Sequence, residues 1–167
     1  DVCFKETPPG AIYSDITWWA FVGSEPPEEM LKVFEVVRDS RKAACERAHE
    51  AFSSGEEIRG CDLDRVTRGV ITEAGYGEYF VHRTGHSLHE CIHGNGAHLD
   101  DFETYDDRKL IPGTLFTVEP GIYMPHVGIG IRSEVDVYHT GQGAEVTGPP
   151  HQEELVRCLL YTSDAAD

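Results

Sequence analysis

The stretch HRTGHSLHECIHGNG, residues 82–96, holds four of the nine histidines of the chain. His86 follows Gly85, and a glycine permits either a close backbone approach or an unusual dihedral angle. His93 lies seven residues after His86, so on one unbroken strand the two rings would face opposite sides of a sheet. A bend or a second strand is therefore needed to bring both rings into one cleft. A lone histidine is more often a core or surface residue than a ligand, so the cluster needs partners elsewhere.

Three carboxylates lie in otherwise apolar segments far from these histidines. Asp15 stands in YSDITWWAFVG, Glu119 in FTVEPGIY and Glu134 in GIRSEVDV. A carboxylate among such neighbours is costly unless it is paired or bound to a metal. For each acid alone, a salt bridge or an edge-strand charge is as good an explanation as a metal, but three acids with a histidine cluster favour a metal site. Strand alternation also places Arg132 on the same face as Glu134.

Composition limits the class of protein. The chain has 167 residues, 40% of them apolar, which suffices for one domain with a hydrophobic core. Its net charge of −16 disfavours nucleic acid and anionic membrane surfaces, because both attract cationic side chains. No apolar run approaches the roughly 20 residues of a membrane span. Five cysteines without a CxxC pair indicate free thiols in a reducing compartment, so we expect a cytoplasmic protein.

The apolar pattern predicts an α+β arrangement that begins with a hairpin and two helices. Residues 1–22 form the expected hairpin, because apolar stretches flank the turn-forming segment ETPPG. Near-helical spacing predicts a first helix from just after Ser24 to Ser53–Gly55. A second helix is expected from about Asp62 to Gly75.

The rest of the chain predicts strands and one long loop. Residues 79–95 are strand-like with glycine breaks, and residues 95–113 are polar and turn-rich, which indicates an excursion over the surface. Its run DDFETYDDRK is interpreted as a solvated loop, with a flap over the cleft as the alternative. LFTVEPGIYM and GIGIRSEVDVYHT, joined by a short link, predict a second hairpin. Five other histidines are expected at the solvent surface, namely His49, His98, His126, His139 and His151.

Four motifs in order carry a family resemblance. HRTGH…IHGNG, TVEPGIY and GIRSE, after an Asp…SDIT hairpin, resemble the Xaa-Pro peptidase branch of the M24 pita-bread metallopeptidases, which includes aminopeptidase P and prolidase. EPG followed by an aromatic residue resembles this branch rather than the methionine aminopeptidases. The match runs from Asp1 to about Arg157. It implies an α+β pita-bread fold, a curved antiparallel sheet with helices on its outer face, here incomplete at the N-terminus.

The resemblance implies a set of metal ligands, which are Asp1, Asp15, His86, Glu119 and Glu134. By analogy Asp15 and Glu134 would bridge two divalent ions. Asp1 would complete the shell of one ion, and His86 with Glu119 that of the other. Oxygen ligands with one imidazole suit Mn²⁺, the expected ion, and also Co²⁺, Zn²⁺ or Fe²⁺.

The resemblance also implies the reaction and the residues that assist it. A hydroxide bridging the two metals would hydrolyse the peptide bond before proline in short peptides. His93 would contact substrate and assist proton transfer, Glu119 would move the proton to the leaving amine, and His82 would be a further cleft histidine. Arg132 would lie beside the bridging glutamate and hold its carboxylate in place without binding a metal itself. The resemblance leaves open whether the protein is a dipeptidase or an aminopeptidase, and we expect a homodimer for the full-length protein.

Two other functions compete with this one, and one position departs from the family. A catalytically inactive binding module would keep the fold, but such proteins usually lose ligands and none is lost here. A creatinase-like hydrolase without metal would have no reason to hold five ligands. The family often has glycine where this chain has His89, which predicts a narrower or differently polar site beside His86 and puts the substrate preference in doubt.

Both ends of the chain bear on the domain boundaries. The last ten residues, CLLYTSDAAD, match the translation of a transposon sequencing adapter, with a natural ragged terminus as the alternative. We therefore expect residues 158–167 to be a non-native tail. Residues 1–157 are expected to form a partial pita-bread catalytic domain, because the chain starts at Asp1 and the family fold has elements before this point.

Overall fold

The computed structural model describes residues 1–158, which contain two α-helices and ten strands. The helices are α1 (Glu28–Ser54) and α2 (Gly60–Glu73). The strands are β1 (Val2–Phe4), β2 (Ser14–Ile16), β3 (Ala20–Val22), β4 (Ser87–Leu88), β5 (Leu115–Val118), β6 (Gly121–Met124), β7 (Ile129–Arg132), β8 (Val135–His139), β9 (Ala144–Val146) and β10 (Val156–Cys158). Within this range neither helix has the length and apolarity that crossing a membrane requires.

The second predicted hairpin is present, and both of its arms are interrupted at the same level. β6 and β7 pair antiparallel at its tip, and β5 and β8 pair antiparallel at its base. Val118 lies opposite Val135, so the two interruptions face each other across the hairpin. Glu119 lies in one interruption and Glu134 in the other. The ladder therefore opens at the two predicted glutamate ligands.

The first hairpin consists of β1 and β2 and docks on the second one. Its antiparallel register places Cys3 opposite Asp15. The Asp15 N–H and the Ser14 hydroxyl donate to the Asp136 carboxylate at 3.2 and 2.9 Å. The Glu134 N–H donates to the Thr17 carbonyl at 3.1 Å. The prediction of one hairpin over residues 1–22 is correct only for β1 and β2, because β3 pairs in parallel with β10.

Helix α1 packs across both halves of the second hairpin. Its 27 residues span about 40 Å at 1.5 Å per residue. One end packs against β6 and β7 in a cluster that includes Val33, Phe34, Val37, Ile122 and Ile131. The other end packs against β5 and β8 in a cluster that includes Ala48, Phe52, Phe116, Val118 and Val137. The helix therefore holds the two halves of the interrupted hairpin in one layer.

The helix ends where the sequence predicts and begins later. Gly55 has φ 74°, the left-handed conformation that glycine adopts at helix ends. The first residue is Glu28 rather than one just after Ser24, because a residue before proline is held out of the helical region. Glu25 and Pro26 each precede a proline, and Pro27, the residue just before the helix, still has an extended ψ of 144°.

A buried arginine links α1 to the interrupted hairpin. Arg41 lies between the two apolar clusters, and its guanidinium donates to the Ser133 hydroxyl at 2.7 Å and to the Gln152 carbonyl at 2.9 Å. Ser133 immediately precedes Glu134. The Gln152 side chain in turn bonds the N–H and the carbonyl of Trp19, at 2.8 and 2.6 Å. The arginine thus connects α1 with the segment that carries Glu134 and with the exit of the first hairpin.

Two predicted segments differ from the structure. Residues 79–95 contain only the two-residue strand β4, because the Gly94 N–H donates to the Ser87 carbonyl at 2.7 Å and turns the chain back. The prediction that residues 95–113 run over the surface is wrong in part, since Leu99 and Asp100 are buried. The Asp100 carboxylate accepts backbone N–H groups from three residues that follow it, which satisfies its charge inside the loop.

The prediction of solvent exposure is wrong for His139. This residue is buried, and its ring stacks on Phe52 with the centroids 3.6 Å apart. The strand alternation of β8 turns His139 toward α1, so the aromatic contact replaces contact with water.

The expected domain boundary at residue 157 lies inside β10. Cys158 lies in β10 opposite Val22, one residue beyond the expected end of the domain at position 157. Residues 159–167, the remainder of the expected non-native tail, lie outside the described residues.

We expect Arg41→Ala to lower the free energy of unfolding by about 2–3 kcal/mol, because two buried acceptors lose their donor. The measurement is urea denaturation of the variant and the wild type. Lys42→Ala is the matched control, because this half-exposed neighbour pairs only with exposed Glu153 and should cost under about 1 kcal/mol. Equal losses in the two variants would contradict a linking role for Arg41.

Candidate metal centre

Four of the five predicted ligands line one cleft, and the fifth, Glu134, lies within 4.8 Å of the ligand atoms of Asp15 and His86. The cleft has a volume of about 270 Å³, and its walls include Asp1, Asp15, His86 and Glu119. The side chains of Asp15, His86, Glu119 and Glu134 belong to residues no more than 7% exposed. Asp1 is exposed at the rim.

His86 directs one ring nitrogen at the carboxylates. Its Nε2 lies 3.5 Å from an Asp15 oxygen and 3.4 Å from a Glu119 oxygen. Its Nδ1 lies 3.3 Å from the Ser87 carbonyl oxygen, which only accepts, so Nδ1 carries the proton of the neutral ring. The Nε2 lone pair then faces two oxygen atoms, an arrangement that favours a cation between them. A carbonyl partner on the other nitrogen is typical of a metal-binding histidine.

Two overlapping sets of donors fit two cations. Asp15, His86 and Glu134 each offer one ligand atom, and these atoms lie within 4.8 Å of one another. Asp1, Cys3 and Asp15 form a second set by the same distance. Asp15 belongs to both sets, which is the position required of a bridging carboxylate. Cys3 is a donor that the sequence analysis did not include.

Burial controls the charges of the cleft. Burial raises the pKa of Glu134 above the usual value of a glutamate, and the charge of Glu119 adds to the shift. Burial also raises the pKa of Glu119, although the Arg132 charge opposes it. Burial lowers the pKa of His86 to about 4, so the imidazole is neutral and available as a ligand. Without a cation, the glutamates of this cleft therefore hold protons more readily than free glutamates do.

A glycine and a turn place the two cleft histidines. A Cβ atom on Gly85 would lie 2.0 Å from the Thr117 carbonyl oxygen, so close backbone approach explains the glycine. The turn that returns Gly94 to Ser87 brings the His93 ring edge-to-face against that of His86, with centroids 4.4 Å apart. The bend that the seven-residue spacing requires is therefore present, and His93 is exposed along the cleft.

Hydroxyl and carboxylate partners hold the ligands, and the sequence analysis missed them. The Thr17 hydroxyl donates to Glu134 at 2.6 Å, and the Thr117 hydroxyl donates to Glu119 at 3.1 Å. A strand-period signal could have found both, because Thr17 lies two residues after Asp15 and Thr117 two before Glu119. Asp136, which fixes the backbone of Asp15, also lies two residues after Glu134.

A chain of polar contacts links Arg132 to His82. The Arg132 Nη1 lies 3.2 Å from Glu119 and 3.8 Å from Asp1, so this arginine contacts those acids rather than the predicted Glu134. Its Nε donates to the Tyr123 hydroxyl at 3.0 Å, and the His82 Nε2 lies 3.0 Å from the same hydroxyl. The His82 Nδ1 lies 2.7 Å from the Arg83 carbonyl oxygen, so both ring nitrogens are engaged.

His89 does not narrow the cleft. Its side chain is exposed and lines a separate groove with Ile12 and Tyr138, whereas its carbonyl accepts the Tyr13 N–H at 2.9 Å. The expectation of a narrower site beside His86 is therefore wrong for this side chain.

Comparisons with known proteins identify relatives of this chain. The model of metallopeptidase family M24 matches residues 10–141. The Xaa-Pro dipeptidase of Pyrococcus furiosus is 38% identical over 140 residues, which cover 81% of this chain and 37% of that protein. A solved Xaa-Pro dipeptidase from Bacillus anthracis is 36% identical, with a TM-score of 0.73, over 87% of this chain and 38% of its own. Dipeptidase PepE from Mycobacterium ulcerans is 29% identical, with a TM-score of 0.78, over 95% of this chain and 39% of its own.

The chain spans less than two-fifths of the length of each of these relatives. The predicted α+β pita-bread fold is confirmed by the likeness to the solved structures, of which this chain represents a part. From the family match and the identity to its relatives, the chain belongs to metallopeptidase family M24.

Proposed function

We propose that the whole protein is an exopeptidase that uses two divalent metal ions to hydrolyse the peptide bond before proline, as an Xaa-Pro dipeptidase or aminopeptidase. The observation that carries this proposal is the pair of donor sets that share Asp15, with the His86 Nε2 directed at buried carboxylates. The substrate class comes from the relatives, two of which are named Xaa-Pro dipeptidase. The proposed homodimer and cytoplasmic location stay predictions.

The proposed cations would balance the negative charge of the clustered carboxylates. When bound, two divalent ions would supply the charge that balances four carboxylates and would lower the pKa of a coordinated water molecule. Asp15 and Glu134 are the proposed bridging ligands, and His86 with Glu119 the proposed ligands on one side. Oxygen donors with one imidazole suit Mn²⁺, Co²⁺, Zn²⁺ or Fe²⁺.

Glu119 and His93 are the residues that we propose to handle protons and substrate. Glu119 lies between Arg132 and the Thr117 hydroxyl, so its carboxylate is oriented to accept a proton and return it to the leaving nitrogen. His93 is exposed beside His86, where its ring can donate a hydrogen bond to the carbonyl oxygen of the substrate. A bond before proline has no N–H on the leaving side, so the proline ring must be recognised by shape.

His82 and Arg132 have a positioning role in this proposal. Because both His82 ring nitrogens are engaged, this histidine holds the Tyr123 hydroxyl, which accepts from Arg132. Arg132 in turn fixes the orientation of Glu119. Burial lowers the pKa of His82, so its ring stays neutral and the contact with Tyr123 does not change near neutral pH.

Metal binding provides the first test. We expect the chain to take up two equivalents of Mn²⁺ or Co²⁺, and Glu134→Gln to weaken uptake by more than about tenfold, because a ligand is lost. Calorimetric titration and metal analysis measure both. Glu145→Gln is the matched control, because this exposed glutamate in β9 lies outside the cleft donor sets. A folded wild-type chain that binds neither ion would contradict the proposal.

The pH dependence provides a second test. A carboxyl group whose pKa is higher in the folded than in the unfolded chain binds more protons when folded. The free energy of unfolding of the metal-free protein should therefore fall as the pH rises from about 5 to about 8 through the raised pKa of Glu134. Metal binding displaces these protons, so metal affinity should rise over the same range.

Urea unfolding at both pH values, with chelator and with metal, measures the two trends. Glu134→Gln should flatten the metal-free trend, because the amide does not titrate. An unchanged trend in this variant would mean that the pH dependence comes from other groups.

Catalysis provides a third test, in the full-length protein. We expect His93→Ala to lower kcat for an Xaa-Pro dipeptide by about 10²–10³-fold, because the substrate oxygen loses a donor, while the metal content is unchanged. His126→Ala is the matched control, because this exposed histidine lies in the link between β6 and β7. A wild-type protein that binds metal but hydrolyses no such peptide would favour the binding module instead.

A further inference from the structure

A thiol lies among the predicted oxygen ligands. The Cys3 Sγ is 2.9 Å from an Asp15 oxygen and 3.5 Å from an Asp1 oxygen. The strand register explains this contact, because Cys3 lies directly opposite Asp15 and Asp1 precedes it by two residues on the same face. The opposite face of the same strand carries the exposed side chains of Val2 and Phe4. The hairpin therefore directs three donors to one side.

The distances among these three donors are those of neighbouring ligands on one ion. Metal–oxygen bonds of about 2.1 Å and metal–sulfur bonds of about 2.3 Å put adjacent ligand atoms roughly 3.1–3.6 Å apart. The two distances from Sγ, 2.9 and 3.5 Å, lie within or close to this range. One ligand atom from each of the three residues lies within 4.8 Å of the others. These distances fit the sulfur and the two carboxylates as ligands of one ion.

We propose that Cys3 is a direct ligand of the cation held by Asp1 and Asp15, and that it shifts this position from Mn²⁺ toward thiophilic ions such as Zn²⁺, Co²⁺ or Cd²⁺. The proposal rests on the proposed two-metal function. As the sulfur–metal bond forms, the S–H bond breaks and its proton leaves to solvent, with no change of oxidation state. The other donor set, with Asp15, His86 and Glu134, contains only oxygen and nitrogen, so the two positions differ in the ions they prefer.

A hydrogen bond from the thiol to Asp15 is the competing explanation of the same contact. The two explanations differ in what a serine at this position would do. A serine hydroxyl replaces the thiol as a donor to Asp15, and it is the stronger donor of the two. It does not replace sulfur as a ligand for thiophilic ions. Cys3→Ser therefore keeps the hydrogen bond and removes the proposed ligand.

The experiment is a titration of the full metal-free chain with Co²⁺, monitored by the sulfur-to-cobalt charge-transfer absorption in the near ultraviolet. We expect this absorption in the wild type and its loss in Cys3→Ser. Cys91→Ser is the matched control, because Cys91 is an exposed thiol that lies outside the donor sets. Cys3→Ser should also weaken Cd²⁺ binding by roughly tenfold or more and leave Mn²⁺ affinity little changed.

The outcomes separate this inference from the proposed function. If the wild type binds two Co²⁺ ions without the sulfur absorption, or if Cys3→Ser keeps it, the Cys3 inference is overturned and the two-metal proposal stands. If the wild type binds no Co²⁺ at all, both are overturned. Equal losses of Cd²⁺ and Mn²⁺ affinity in Cys3→Ser would also overturn the inference, because they indicate general damage to the site.

Discussion

Repulsion among buried carboxylates around one neutral imidazole is the constraint on which this structure depends. Asp15, Glu119 and Glu134 are all buried and share a cleft with the His86 lone pair. Hydroxyl donors from Thr17 and Thr117 reduce the cost but add no charge. The Arg132 guanidinium neutralises only part of the negative charge of the cleft, at the edge nearest Glu119. Burial raises the pKa of both glutamates, which favours retention of their protons where positive charge is lacking.

The fold places the two glutamates where the second hairpin is interrupted, and α1 packs against the hairpin on both sides of this interruption. A continuous ladder would use the backbone groups near Glu119 and Glu134 for pairing within the hairpin. The interruption instead leaves the Glu134 N–H free to bond the first hairpin. Helix α1 packs on both sides of the opening, and Arg41 reaches Ser133 at its centre. A buried arginine is tolerated there because it contacts several acceptors, including a carbonyl and a hydroxyl.

Much of the site follows from the sequence, because acids in apolar strands are costly and therefore informative. Asp15, Glu119 and Glu134 stand out for that reason, and the family resemblance adds Asp1 and His86. Contacts between segments distant in sequence are harder to predict. Strand alternation pairs Arg132 with Glu134, but its actual partner, Glu119, depends on how the hairpin twists at its interruption, which the local period does not contain. The environment of His139 likewise depends on where Phe52 of α1 packs.

Loops and small donors are where the sequence is least informative. Asp100 looks like a solvated acid in a polar run, yet it is buried because it caps the backbone of its own loop. Cys3 looks like one of several scattered thiols until the register of β1 and β2 places it opposite Asp15. In both cases the decisive fact is a backbone geometry that composition and periodicity do not contain.

The position of Asp15 in both donor sets has a consequence for how the two hairpins stay together. Within residues 1–158, the contacts between the first hairpin and the rest of the chain include those to the Asp136 carboxylate, Glu134 with Thr17, the Tyr13 N–H to His89 and Lys5 to the Glu90 carbonyl. Cations held by Asp15 with ligands from both hairpins would add direct bonds across the same boundary. Free energy of metal binding that depends on this docking is also free energy of folding. With the proposed metals bound, occupancy and attachment of the first hairpin would therefore form one coupled equilibrium, in which the acids that repel each other without metal would hold the two hairpins together.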